Sequence, residues 1–493
     1  MSLINIKNLT FSYEGSYDNV FENVTLQIDT DWKLGFTGRN GRGKTTFLKL
    51  LMGEYEYSGT ISTDAQFDYF PFHINDKSAL TLDIVSELSP DSEDWEIIKE
   101  LSKLQVSAEV LYRPFGTLSN GEQTKVLLAS LFLKENAFLL IDEPTNHLDA
   151  DARLALGKYL NTKKGFILVS HDRALLDRCT DHTLAVNKTG IEIQKGNFSS
   201  WWTDKELKDE FEKKQNEQLK KEINRLNESA RRSAAWSDKT EKSKKGSLNS
   251  GLRPDRGYIG HKSAKMMQRA KSIENRREEA AAEKTKLLKN IESDEELKLS
   301  SRSDGPERLA ELKNISILYG GSVILNNINF SIMKGDRISL RGKNGCGKSS
   351  ILKLILGEKI EYTGELRKSS GLIISYVPQD TSFLKGGFKA FINENGIDET
   401  LFKAILRKLD FERAQFDKDI SALSTGQKKK VMLAKSLCEQ AHLYIWDEPL
   451  NFIDVISRMQ IERLLLKYRP TLLFVEHDAE FCKNIETKSV LLK

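Results

Sequence analysis

The chain has 493 residues, 30% of them charged, and a formal net charge of +4, a length that accommodates two or three domains each burying its own core. Its four cysteines, Cys179, Cys346, Cys438 and Cys482, contain no CxxC pair, which argues against a disulfide framework or a zinc site. No run of about eighteen apolar residues occurs and the opening MSLINIKNLTF lacks the build of a signal peptide, so a cytoplasmic protein without membrane segments is expected.

In chain order, LINIKNLTFSY from Leu3 and WKLGFTG read as strands, the second entering the Gly-rich turn GRNGRGKTT at Gly38 to Thr46. KTTFLKLLM then has helical spacing. LSNGE begins at Leu118; the apolar runs FLLID and FILV follow, ending before Glu143 and near His171. All of these landmarks recur in the same order: LAELKNISILY from Leu309, DRISLRG, GKNGCGKSS at Gly342 to Ser350, LSTGQ from Leu423, LYIWDEP from Leu443 and VEHD from Val475. Gly38 to Ser119 spans 81 positions and Gly342 to Ser424 spans 82, while Ser119 to Asp142 and Ser424 to Asp447 both span 23. The chain therefore contains a duplicated domain. Strands alternating with helices predict an α/β fold with a mainly parallel sheet in each copy.

The segment between the copies, 200–304, shifts to Lys, Glu, Arg, Ala and Gln. Leu219, Ile223, Leu226 and Ala230 recur at helical spacing, as do Met266, Ala270 and Ile273, and the cluster GSLNSGLRPDRG between them predicts an antiparallel helical hairpin with its tip near 244–262. From Arg231 to Arg277 there are fourteen Lys or Arg against four acidic residues, a local excess of ten that leaves the rest of the chain at −6. The expected division is 1–199, a first nucleotide-binding domain; 200–304, the linker; and 305–493, a second nucleotide-binding domain.

The chemistry of the repeated motifs is that of phosphate binding. In GxxxxGK[ST], Gly38, Asn40, Gly41, Gly43 and Thr46, and likewise Gly342, Asn344, Gly345, Gly347 and Ser350, belong to a loop whose backbone N–H groups close around phosphates at a helix N-terminus. Lys44 and Lys348 are expected to reach the β and γ phosphates, and Thr45 and Ser349 to hold Mg²⁺. Asp142 and Asp447, at the ends of apolar strands, are expected to act on the metal through water. Glu143 and Glu448 follow, placed to orient or deprotonate the attacking water. His171 and His477 recur 28 and 29 positions later.

These motifs closely resemble the ABC ATPase superfamily over nearly the whole chain outside the linker. The resemblance implies composite sites. Site one would join Lys44, Asp142, Glu143 and His171 with Ser424, Gly426 and Gln427; site two would join Lys348, Asp447, Glu448 and His477 with Ser119, Gly121 and Glu122. Tyr13 and Tyr319 stand where the family stacks an aromatic ring on adenine. The glutamine expected to contact Mg²⁺ or water is Gln379 in YVPQ, whereas YFPF has Phe72, so the two sites are expected to be unequal.

Two such domains around a charged linker resemble the ABC-F family, whose members bind ribosomes at the tRNA exit site. The absence of an inserted arm, together with the tip sequence LNSGLRPDRGYIGHKSAKMMQRAK, is similar to the Lsa-type antibiotic-resistance branch. This implies a monomer that pairs its own two domains, associates with bacterial large-subunit rRNA and peptidyl-site tRNA, avoids membrane and DNA, and dislodges lincosamide, streptogramin A or pleuromutilin drugs. RNA explains the basic excess, because Lys and Arg displace counterions condensed on phosphates. The tip residues expected to act there are Lys244, Lys245, Leu248, Arg253, Arg256, Tyr258, His261, Lys262, Lys265 and Met266. A housekeeping ABC-F translation factor is the nearest rival, followed by a transporter ATPase and a chromosome ATPase.

Overall fold

The computed structural model describes residues 2–15, 19–134, 137–146, 148–187, 190–242, 268, 271–272, 275–276, 297–299, 302 and 304–492. The chain forms two units, one of Met1–Trp201 with Asp294–Lys493 and the other of Trp202–Ser293.

The first unit holds both copies of the repeat. In the first copy the strands are β1 (Leu3–Phe11), β2 (Phe21–Asp29), β3 (Lys33–Gly38), β4 (Ser58–Ser62), β5 (Gln66–Phe70), β6 (Ala137–Asp142), β7 (Phe166–Val169), β8 (His182–Asn187) and β9 (Gly190–Lys195). A six-stranded sheet has the order β5-β6-β7-β3-β8-β9, parallel except for the β8–β9 pair, and β2-β1-β4 form a smaller antiparallel sheet.

The second copy comprises β10 (Arg308–Tyr319), β11 (Ser322–Met333), β12 (Arg337–Arg341), β13 (Glu361–Lys368), β14 (Ile374–Val377), β15 (Leu443–Asp447), β16 (Leu472–Val475) and β17 (Lys488–Leu491). Its parallel sheet runs β14-β15-β16-β12-β17, beside the antiparallel set β11-β10-β13. The α/β class with mainly parallel sheets is thus borne out.

β6, β7, β15 and β16 are almost wholly apolar because both faces of the parallel sheet are buried. Leu34, Phe36, Phe47, Leu140 and Ile167 form one core, and Ile338, Leu340, Ile351, Ile445 and Leu473 form its equivalent. Parallel strands place their C-terminal ends along one edge, where ligands bind in open sheets. Accordingly β3, β6 and β7 deliver Gly38, Asp142 and Val169 to the same edge, and β12, β15 and β16 deliver Arg341, Asp447 and Val475.

The helix Phe198–Lys242, most of it in the second unit, runs for 45 residues, about 65–70 Å at the usual rise. Residues 268, 271–272 and 275–276 are also helical. All ten residues expected to act at the linker tip, Lys244 through Met266, lie outside the described residues.

Candidate functional site

Each phosphate loop bridges a strand and a helix. Gly38 ends β3 and the helix Lys44–Leu51 follows; Arg341 ends β12 and the helix Lys348–Leu356 follows. Gly43 and Gly347 stand just before those helices with φ of 87° and 91°. A Cβ at Gly43 would lie 2.6 Å from Val20 Cγ1, and one at Gly347 2.8 Å from Leu325 Cδ1, so glycine is required there by both conformation and space. Lys44 Nζ donates to the carbonyls of Gly38 (2.9 Å) and Arg39 (3.1 Å), and Lys348 Nζ to those of Gly342 and Lys343 (both 2.9 Å). The two ammonium groups are therefore folded back over the loops that carry them.

The acidic residues sit one position apart with different geometry. Thr45 donates its hydroxyl to Asp142 Oδ2 at 2.7 Å, and Tyr69 donates to the same oxygen at 3.2 Å. Glu143 and Glu448 have φ of 51° and 46°, the left-handed region that non-glycine residues seldom occupy. Their N–H groups donate to Val169 O (2.9 Å) and Val475 O (3.0 Å) across the neighbouring strands, which holds the turn in place. Such over-determined backbone strain is commonly a mark of functional positions. Opposite these glutamates, His171 Nε2 lies 3.2 Å from Glu143 Oε1 and His477 Nε2 lies 3.5 Å from Glu448 Oε1.

Electrostatically the two glutamates differ. Burial and the adjacent Asp142 push the Glu143 carboxyl up to about 8, against the pull of Lys44 and Arg458. Burial, with Lys44 and Arg458 nearby, holds His171 well below its ordinary value and hence neutral. Burial also acts on Glu448, yet hydrogen bonds from His477 and Gln379 and the charge of Lys429 outweigh it and hold this carboxyl below the usual range. Asp142 and Asp447 are both raised by burial.

Two cavities bring the copies together. The first, about 580 Å³, is lined by Tyr13, Asn40, Gly41, Gly43, Lys44, Thr45, Thr46, Asp142, Glu143 and His171 from the first copy and by Ser424, Gly426 and Phe452 from the second. The second, about 1400 Å³, is lined by Asn344, Gly345, Gly347, Lys348, Ser349, Ser350, Gln379, Glu448 and His477 from the second copy and by Ser119, Gly121 and Glu122 from the first. Direct contacts between the copies flank the smaller cavity. Asn40 Nδ2 donates to Phe452 O at 2.9 Å, and Arg42 pairs with Asp410 at 3.2 Å.

Some expected site residues also make local contacts of their own. Ser119 and Ser424 cap their helices, and Glu122 and Gln427 close reciprocal capping boxes with them. Gln427 is not among the residues lining the first cavity, nor Tyr319 among those lining the second. Tyr13 and Tyr319 each remain 45% exposed, with their hydroxyls on Thr46 (2.6 Å) and Ser350 (3.2 Å). Phe72 points its ring towards Lys134, and it is Tyr69, three positions earlier, that reaches the first acidic centre. Sequence reasoning missed Tyr69, Arg42, Asp410 and Lys429. Only Tyr69 left a signal, the YxP shared by YFPF and YVPQ.

With this geometry in place, the sequence pattern of the family described as ABC transporter matches residues 21–146 and 325–451. The ribosome protection protein VmlR of Bacillus subtilis is 28% identical over 486 residues, covering 98% of this chain and 85% of that protein. The ATP-binding protein Uup of Buchnera aphidicola is 28% identical over 509 residues, covering 99% and 80%. A solved structure of the archaeal ribosome recycling factor aABCE1 in complex with a stalk protein superimposes with a TM-score of 0.63 at 19% identity, covering 98% of this chain and 87% of that one. Among the described residues no helix is long and apolar enough to cross a membrane.

Proposed function

Because the chain belongs to the ABC transporter family, as an ABC-F ATP hydrolase with two ATPase domains, we propose that it works on the bacterial ribosome and protects it from antibiotics of the large subunit. The observation that carries this reading is the likeness to a ribosome protection protein along 98% of the chain. The basic excess between Arg231 and Arg277 supports it, since phosphate-rich RNA is the natural partner of such a segment.

In this reading ATP draws the two copies together, giving the ribosome-binding shape, and hydrolysis releases it. Lys44 and Lys348 exchange their loop carbonyls for phosphate oxygens. Glu143 and Glu448, aimed into the cavities by their left-handed backbone, orient the attacking water, and His171 and His477 fix the glutamates. The acidic centres suit a hydrated divalent cation: Asp447 Oδ1 is buried without a hydrogen-bond partner, and the Thr45 hydroxyl already lies on Asp142. Mg²⁺ would be held by Thr45 in one site and by Ser349 and Gln379 in the other, with Asp142 and Asp447 acting through water. It would neutralise charge on the phosphates. The segment 200–304 is the effector, acting near peptidyl-site tRNA and the peptidyl transferase centre to dislodge lincosamide, streptogramin A or pleuromutilin drugs. The protein acts as a cytoplasmic, ribosome-associated monomer.

A drug-susceptibility panel in a sensitive host expressing the chain tests this reading. Raised inhibitory concentrations for those classes alone are expected, and they should vanish in the Glu143→Gln, Glu448→Gln variant. Unchanged susceptibility with retained ribosome co-sedimentation would favour a second reading, a housekeeping translation factor, which the equal identity to Uup supports.

A further inference from the structure

Lys429 is an ammonium group with 1% exposure in the middle of the molecule. It lies in the first turn and a half of the helix Thr425–Cys438, whose start, Ser424 to Gly426, lines the first cavity. Its Nζ donates to Pro378 O at 2.9 Å and to Glu448 O at 3.0 Å. Both carbonyls belong to the second cavity's machinery: Pro378 precedes Gln379, and Glu448 is the glutamate facing His477. A buried cation is costly unless it is paired. Here burial holds the ammonium below its ordinary range, and Glu476, Glu448, Asp447 and Asp380 offset part of that cost.

The start of this helix packs on Phe452 of its own copy, and the first copy reaches that residue through Asn40. A Cβ on Gly426 would lie 2.5 Å from Phe452 O, the same oxygen that accepts from Asn40 of the first phosphate loop. Residues three apart share a helix face, so a displacement at Gly426 is transmitted to Lys429. The duplicated helix has no such strut: the position of Lys429 is filled there by Thr124, whose hydroxyl bonds Asn120 O of its own helix at 2.9 Å.

From this geometry we infer that Lys429 is a positioning residue that couples nucleotide in the first cavity to the catalytic geometry of Glu448 and Gln379 in the second. Among the described residues this lysine link is present in the second copy and replaced by Thr124 in the first, so the rate at site two responds to occupancy of site one through a connection that the reverse direction lacks. Reciprocity constrains binding free energies and leaves a kinetic asymmetry of this kind open. The inference rests on Glu448 serving site two, as proposed above.

The test uses the full-length chain in a Glu143→Gln background, in which site one binds ATP but turns over slowly. Adding Lys429→Met, which keeps the apolar stem, should lower kcat about tenfold while KM for ATP and binding of a fluorescent ATP analogue stay within about twofold. Emptying site one with Lys44→Ala should lower kcat when Lys429 is present and add less than about twofold when it is Met. Lys429→Gln, with fewer donors and no charge, should give an intermediate kcat and keeps the test available should the Met variant fold poorly. Unchanged kcat in either variant would overturn the inference, as would an equal effect of Lys44→Ala with and without Lys429. Adding Glu448→Gln separates the two ideas: turnover that survives it removes the catalytic reading of Glu448, and the Lys429 inference with it. Turnover that dies with Glu448→Gln yet ignores Lys429→Met removes the Lys429 inference alone.

Discussion

Arg173 of the first copy and Glu462 of the second meet at 2.6 Å, with side-chain exposures of 9% and 10%. The second carboxylate oxygen accepts from Asn484 Nδ2 at 2.7 Å. Removing one partner strands a charge that has already lost its water. Glu462→Ala is therefore expected to weaken the contact between the copies by about 3–5 kcal/mol, with Arg173→Met, Glu462→Met recovering most of it. Thermal unfolding of the three variants measures this; equal losses in single and double variants would refute it.

The two glutamates are expected to contribute unequally. Glu448 is held as a carboxylate beside Gln379, while Glu143 is pushed up to about 8 and the first copy has Phe72 after β5 in place of the glutamine. Steady-state ATPase should fall by about a hundredfold in Glu448→Gln and by only a few-fold in Glu143→Gln. Symmetrical losses would show that the environments equalise once nucleotide binds.

Glu100 anchors the helix Asp94–Lys103 to the core through Tyr159 and Lys163, and these partners, with Lys103 of the same helix, outweigh burial to hold its carboxyl at about 2. A depressed carboxyl contributes stability that is fully present above its unfolded value of about 4.3 and is lost as pH falls through that range towards 2. Glu100→Gln should thus cost about 1–3 kcal/mol at pH 7 and flatten the loss of stability between about pH 5 and 3. Chemical denaturation across that range gives the slope, and one identical in both proteins would contradict the assignment.

Exchanging Leu248 to Tyr258 for a short Gly/Ser loop should leave ATPase activity within about twofold, because that segment belongs to the other unit. Drug protection should be lost. Protection that persists would move the effector role elsewhere in the chain.

Why some of this was readable in the sequence follows from range. Gly43, Lys44 and Thr45 act within one strand-to-helix turn, so their types and spacing record the job. FLLID and LYIWD likewise announce buried strands ending in carboxylates. Arg42 gives no comparable signal, since it occupies a free position of the motif and its partner Asp410 is 368 residues away. Lys429 was hidden for a similar reason: in QKKKV it reads as one of three surface lysines, and only tertiary packing shows that two carbonyls await it. Gln427 is legible in two ways. Its match to a nucleotide-contacting motif is also a match to a capping box, and the cap is what its side chain makes.

The Arg42–Asp410 and Arg173–Glu462 pairs also bear on which halves associate during synthesis. Their repeat-equivalent positions hold Cys346 with Gln105 and Ala479 with Gly157, judged by register from the phosphate loops, Ser119 and Ser424, the helix caps Asp149 and Asp454, and the two histidines. Two first halves from neighbouring nascent chains would set Arg42 against Gln105 and Arg173 against Gly157; two second halves would leave Asp410 and Glu462 without cations. Like-with-like pairing on a crowded polysome is thus penalised by unmatched charge, while covalent tethering raises the local concentration of the correct mate.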